Sequence, residues 1–115
     1  MTKPLAERRC EPCHGGTPRV EGDELRRYMD ELGPPWEVRE EHHLEADFSF
    51  PDFMEALRFA NRLGALAEAE GHHPEVTVTW GHATVRVWTH AIDGLSDNDF
   101  ILAAKAGELS RAFRG

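Results

Sequence analysis

Gly71-His72-His73-Pro74-Glu75-Val76-Thr77-Val78-Thr79-Trp80-Gly81-His82-Ala83-Thr84-Val85-Arg86-Val87-Trp88-Thr89-His90 is the stretch whose reading decides the fold of this chain. Val76, Val78 and Trp80 alternate with polar residues, Gly81-His82 supplies a turn, and alternation resumes at Val85 and Val87. A period of two on both sides of a glycine-bearing turn predicts an antiparallel hairpin with one apolar face. Three histidines bracket it, His72 and His73 at its entrance and His90 at its exit.

Upstream, Asp52 followed by Glu55 reads as a capping pair, and Phe53, Leu57, Ala60, Gly64 and Ala67 are expected along the buried face of a long helix that Gly71 ends. Before that helix, Trp36 and Val38, then Leu44, Ala46, Phe48 and Phe50, again alternate with polar residues. They predict two strands joined through the polar segment Glu40 to His43. Leu25, Tyr28, Met29 and Leu32 mark a short first helix, stopped by Gly33-Pro34-Pro35. Downstream, Ser96 and Asp99 form a second capping box, and Leu102, Ala106, Leu109 and Phe113 mark the last helix. The order α-β-β-α-β-β-α predicts an α+β fold, a four-stranded antiparallel sheet with helices on one face.

The 115 residues suffice for one domain, expected over residues 22–115. Residues 1–21, with three prolines, two glycines and no apolar period, read as a flexible N-terminal arm. A formal net charge of -8 disfavours binding to a phosphate backbone, so nucleic acid is not an expected direct partner. No apolar run approaches the length that spans a bilayer, and Met1-Thr2-Lys3-Pro4 opens no signal-peptide core, so no membrane partner and a cytoplasmic location are expected. Cys10-Glu11-Pro12-Cys13-His14 has the spacing of a c-type haem attachment site, but haem attachment usually follows export. A zinc knuckle would need a fourth ligand, and a thioredoxin-like pair would need a preceding strand. Two reduced thiols in the arm are the expectation.

The first residue of one hairpin strand lies beside the last of its partner, so His72, His73 and His90 are expected to meet at the open end. Pro74 favours extended backbone at His73, which sends neighbouring side chains to opposite sides. His72 and His73 therefore cannot do the same job. Imidazole titrates near neutrality, so the cluster suits proton transfer at both ends of one substrate. A three-histidine zinc site is the rival reading. A capping role alone would account for Asp99, Glu68 and Glu70 look like solvated charges, and Trp80 and Trp88 could wall a cleft for a flat heterocycle.

Glu68-x-x-x-His72-His73-Pro74, Thr89-His90 and Gly94-Leu95-Ser96-x-x-Asp99, with Gly33-x-x-Trp36 and Phe48-x-Phe50-x-x-Phe53, resemble the signature of the pterin-4a-carbinolamine dehydratases over roughly residues 22 to 113. That resemblance implies a hydro-lyase converting 4a-hydroxytetrahydrobiopterin, or a related pterin, to quinonoid dihydropterin and water in tetrahydropterin recycling. It implies His72, His73 and His90 as the catalytic set, substrate contacts through Pro74, Thr89, Ala91 and Ile92, and further motif carboxylates at Glu68 and Asp99. It also implies a homodimer or homotetramer. The chemistry needs one acid and one base, so neither a cofactor nor a metal is expected. Two departures from the family pattern are Trp80, in place of the usual tyrosine, and the bulky Trp88. The family also contains non-enzymatic partner proteins, among them a transcription-factor dimerisation cofactor and Rubisco assembly factors; retention of all three histidines favours the enzyme.

Overall fold

The computed structural model describes residues 3–114. The elements run α1 (Gly22–Leu32), β1 (Glu37–Arg39), β2 (His43–Ser49), α2 (Phe53–Glu70), β3 (Glu75–Thr79), β4 (His82–Val87) and α3 (Asp97–Arg114), with single 3-10 turns at Leu5–Glu7 and His90–Ile92. This is the order expected from the sequence. The four strands form one antiparallel sheet in the order β1-β2-β4-β3, which puts the two hairpins side by side through β2 and β4.

Alternation divides the sheet into two faces. Leu44, Ala46, Phe48, Ala83, Val85 and Val87 are all buried beneath the helices. Glu45, Asp47, His82, Thr84 and Arg86 occupy the opposite face, where Arg86 pairs with Glu45, and His82 and Thr84 with Asp47. Phe48 and Phe59 are fully buried with ring centroids 5.1 Å apart, which makes this contact a centre of the core. Truncating either ring would cost about 3 to 5 kcal/mol.

The long helix buries a stripe that shares only Ala67 with the one expected. Asp52 does cap it, its Oδ1 accepting the Glu55 N–H at 2.8 Å. The core face, however, is Ala56, Phe59, Leu63 and Ala67. Phe53 is exposed, Leu57 and Ala60 are half-buried, and Gly64 is open to solvent. Both stripes have helical spacing, and Phe59 with Leu63 buries more apolar area than Ala60 with Gly64 could. The β3–β4 turn is also displaced by one residue. Thr79 pairs with His82, so Trp80 and Gly81 make the turn, Gly81 at φ 76°. Trp80 is consequently 72% exposed rather than on the apolar face.

The N-terminal arm is the largest departure. From residue 3 onward it lies against the domain, with Leu5 and Val20 buried in the core. The Leu5 N–H donates to Glu31, Arg8 donates to Tyr28 and Asp97, and the Cys10 N–H donates to Glu70 at 2.8 Å. The Leu5–Glu7 turn itself packs on α3, and Phe100, Ile101, Leu102 and Ala103 are all buried although they point in every direction around the helix. Glu70, expected to be solvated, has a side chain only 7% exposed and paired with Lys105 at 2.7 Å. The Cys10 N–H, the Lys105 ammonium and the Glu70 carboxylate thus satisfy one another in a site that would otherwise strand a charge.

Candidate active site

Two backbone devices set the histidines. Gly71, at φ 68° and ψ 27°, takes the left-handed conformation that ends α2. The His72 N–H then bonds back to Ala67 O at 3.2 Å, fixing where the histidine pair leaves the helix. At the other end of the hairpin, Thr89 and Gly94 form an isolated antiparallel bridge, with Thr89 N–H donating to Gly94 O at 2.8 Å. His90–Ile92 is the 3-10 turn inside that bridge, and Asp93 closes it with a positive φ of 47°.

His72 and His73 point different ways. The His72 side chain is 11% exposed, and its Nε2 lies 2.6 Å from Oδ1 of the fully buried Asp99. Oδ2 of Asp99 accepts the Thr89 hydroxyl and the Ser96 N–H, each at 2.8 Å. A carboxylate only accepts, so His72 carries its proton on Nε2, and its Nδ1 has no hydrogen-bond partner among the described residues. His73 is 60% exposed and pairs through Nε2 with Glu68, itself exposed. Pro74 follows, half-buried, at the start of the hairpin.

Asp99 draws the entrance and exit of the hairpin together through His72 and Thr89. His90 stands apart from this network, its ring stacked on Trp88 at a centroid distance of 4.6 Å and an interplanar angle of 26°. Trp88 also meets His42 and His43 at 5.2 and 5.8 Å, so four aromatic rings form a ledge beside the exit. His42 Nε2 is tied to Asp93 at 2.7 Å. Burial, then the neighbouring His42 and Arg86, push the pKa of His43 below its ordinary value. Trp80 lies at the opposite end of β4 and cannot share a cleft wall with Trp88.

A shallow depression of about 420 Å³ is lined by His90, Ala91, Ile92 and Asp93, with Gly15, Thr17 and Arg19 from the arm. Neither His72 nor His73 is among its walls. Ala91 is exposed there and Ile92 is mostly buried. Arg19 donates through Nε to the Ile92 carbonyl at 2.9 Å, a clamp on the loop that the sequence reading missed because it assigned Arg19 to a free arm. The capping box is formed only in part: Asp99 takes the Ser96 N–H, while the Ser96 hydroxyl turns to Thr89 at 2.6 Å. Among the described residues, no group of three or more His, Cys, Asp and Glu side chains is arranged to hold a metal ion.

Comparison with known proteins places the chain in a family. A protein of Alkaliphilus metalliredigens named "Putative pterin-4-alpha-carbinolamine dehydratase" is 50% identical over 101 residues, covering 88% of this chain and 91% of the relative. A protein of the same name from Rubrobacter xylanophilus is 51% identical over 105 residues, 91% of this chain and 97% of its own length. A crystal structure described as a transcriptional coactivator/pterin dehydratase from Brucella melitensis covers 81% of this chain and 99% of its own, with a TM-score of 0.76; at 24% identity it speaks for the fold. The profile of the family described as Pterin 4 alpha carbinolamine dehydratase matches residues 18–109, and the chain belongs to that family.

Proposed function

We propose that this chain is a hydro-lyase that dehydrates a 4a-hydroxytetrahydropterin to the quinonoid dihydropterin. Family membership supports the pterin substrate. The single observation that carries the residue assignment is the His72–Asp99 contact of 2.6 Å, with the carboxylate fully buried. A histidine held by a buried carboxylate has a fixed tautomer, and the imidazolium formed when its free nitrogen takes a proton is stabilised.

The reaction breaks two bonds to the substrate. The C4a–O bond releases water once its oxygen receives a proton, and the N5–H bond gives up its proton while its electron pair forms the C4a=N5 double bond. His72 acts as the base at N5 through Nδ1, handing positive charge to the Asp99 side of its ring. His90, exposed on the Trp88 ledge, donates the proton to the leaving oxygen. His73 chiefly binds substrate from the exposed rim with Glu68 behind it, and Pro74, Ala91 and Ile92 supply walls. No redox change occurs, so the step balances with one acid and one base.

The assay is stopped-flow dehydration of freshly made 4a-hydroxytetrahydropterin, with the enzyme-free rate subtracted and circular dichroism confirming that each variant is folded. His72→Ala and His90→Ala should each lose about 100-fold or more in kcat, the usual contribution of a positioned acid or base. His73→Ala should lose chiefly in KM. Wild-type rates in all three variants would make the cluster structural, and a non-enzymatic partner role, of the kind the Brucella melitensis protein's description also names, would take its place.

A further inference from the structure

Thr89 stands in the segment that family resemblance assigns to substrate contact, yet its side chain faces the other way. Thr89 is 2% exposed and its hydroxyl touches two groups, Asp99 Oδ2 at 2.8 Å and Ser96 Oγ at 2.6 Å. Ser96 is equally buried.

The donors in this cluster can be ordered. Each hydroxyl has one proton, and the Asp99 carboxylate only accepts. Thr89 spends its proton on Asp99, so the 2.6 Å contact between the hydroxyls is Ser96 donating to Thr89. Ser96 Oγ is then left as an acceptor toward Cys13, whose Sγ lies 3.7 Å away. The direction runs from Ser96 through Thr89 to Asp99, and His72 donates to the same carboxylate from the opposite side; the Cys13 thiol, with one proton, has Glu11 O as well as Ser96 Oγ at 3.7 Å. Around it, Asn98 locks the arm onto the start of α3, receiving the Glu11 N–H at 3.0 Å and giving its amide protons to Glu11 O and to Cys13 Sγ.

We propose that Thr89 and Ser96 are positioning residues for the reaction: together they hold Oδ2 of Asp99, so that Oδ1 stays aimed at His72 Nε2 and His72 Nδ1 stays aimed at substrate. Asn98, bonded to Glu11 and Cys13 beside Ser96, ties the arm to the same corner of the site. The proposal rests on the dehydratase reading for its kinetic arm and on hydrogen bonding alone for its spectroscopic arm.

The test compares full-length wild type with Thr89→Val, which keeps the shape and removes the hydroxyl, Thr89→Ser, which restores it, and Ser96→Ala. Kinetically, Thr89→Val should lose about 10- to 100-fold in kcat, the usual cost of removing an outer partner of a working histidine, with KM unchanged to within about twofold. Thr89→Ser should recover most of the loss, and Ser96→Ala should fall between. Spectroscopically, in protein labelled with ¹⁵N-histidine, the His72 Nε2 proton should give a slowly exchanging low-field resonance in wild type and Thr89→Ser, broadened by exchange in Thr89→Val. A rise in KM at constant kcat for Thr89→Val would make Thr89 a substrate ligand and overturn the proposal. So would an unchanged resonance and unchanged kinetics. If wild type failed to dehydrate the pterin, the functional reading would fall while the resonance still decided the positioning role. If Thr89→Val failed to fold, Ser96→Ala against wild type would decide it by the same two readouts.

Discussion

Replacing Asp99 by asparagine sets three donors against a group with one oxygen. His72 Nε2–H, Thr89 Oγ1–H and Ser96 N–H all point at the carboxylate, the first at Oδ1 and the other two at Oδ2. In Asp99→Asn, one side of that group becomes an NH₂. If the amide oxygen takes the Oδ2 position it serves Thr89 and Ser96, and the NH₂ confronts His72 Nε2. His72 must then move its proton to Nδ1, which removes the basic nitrogen from the substrate side. The reverse orientation puts the NH₂ against the backbone N–H of Ser96, which cannot turn away in a fully buried site. That conflict costs about 1 to 3 kcal/mol, so the first arrangement wins. The expected result is a kcat loss of at least about 100-fold, or roughly 2.7 kcal/mol at the transition state, with a much smaller change in KM. Stopped-flow dehydration over background supplies the rate, and ¹⁵N shifts of His72 report the tautomer. A variant that kept wild-type kcat, or lost only in KM, would refute the assignment of His72 as a carboxylate-held base.

The remaining predictions concern the arm and the assembly. Burial alone would raise the pKa of the Glu70 carboxyl, but the Cys10 N–H and the Lys105 ammonium outweigh it and hold the pKa below its ordinary value of 4.5. Its contribution to stability is therefore present above that value and fades as pH falls through the lowered one. Glu70→Gln should cost about 1 to 3 kcal/mol at neutral pH, with the gap to wild type closing in acid, as urea melts across pH would record. Burial, then the Glu70 carboxylate, push the Cys10 thiol up to about 12. In native protein at pH 8, Cys10 should resist a disulfide reagent and react only on unfolding; prompt labelling mapped to Cys10 would contradict its packing. The two outer strands, β1 and β3, leave edges that a second copy could cover, so light scattering should return a mass well above the 13.0 kDa of one chain. A monomer at micromolar concentration would sink that expectation.

The strand order along the chain and all three helices were legible because their signals are local. Alternation at Leu44 to Phe50, the Asp52 cap and the stop at Gly71 depend only on neighbouring residues. What escaped was decided by distant contacts. α2 carries two stripes of similar spacing, and only the volume of Phe59 and Leu63 against Phe48 and the rest of the core selects one of them. Glu70 looked solvated because its partners, Cys10 N–H and Lys105, lie 60 and 35 positions away. The arm looked free because its prolines and glycines suppress periodicity, while Leu5 and Val20 dock as single residues. Within the candidate site, the opposed directions of His72 and His73 followed from extended backbone before Pro74. The inward turn of the Thr89 hydroxyl did not, since it depends on Ser96 and Asp99 arriving from α3 and the loop before it. Trp80 was misassigned for a smaller reason: β3 ends one residue earlier than the alternation suggests, so Trp80 falls in the turn and not on the apolar face.

The most direct test of the account is the rate at which wild-type protein, stripped of metal by chelation and checked by elemental analysis, forms quinonoid dihydropterin from 4a-hydroxytetrahydropterin. The account predicts a rate proportional to protein concentration, well above the spontaneous one, with stoichiometric metal neither present nor needed. A rate equal to the enzyme-free background, or activity that vanished on chelation and returned with added zinc, would contradict it.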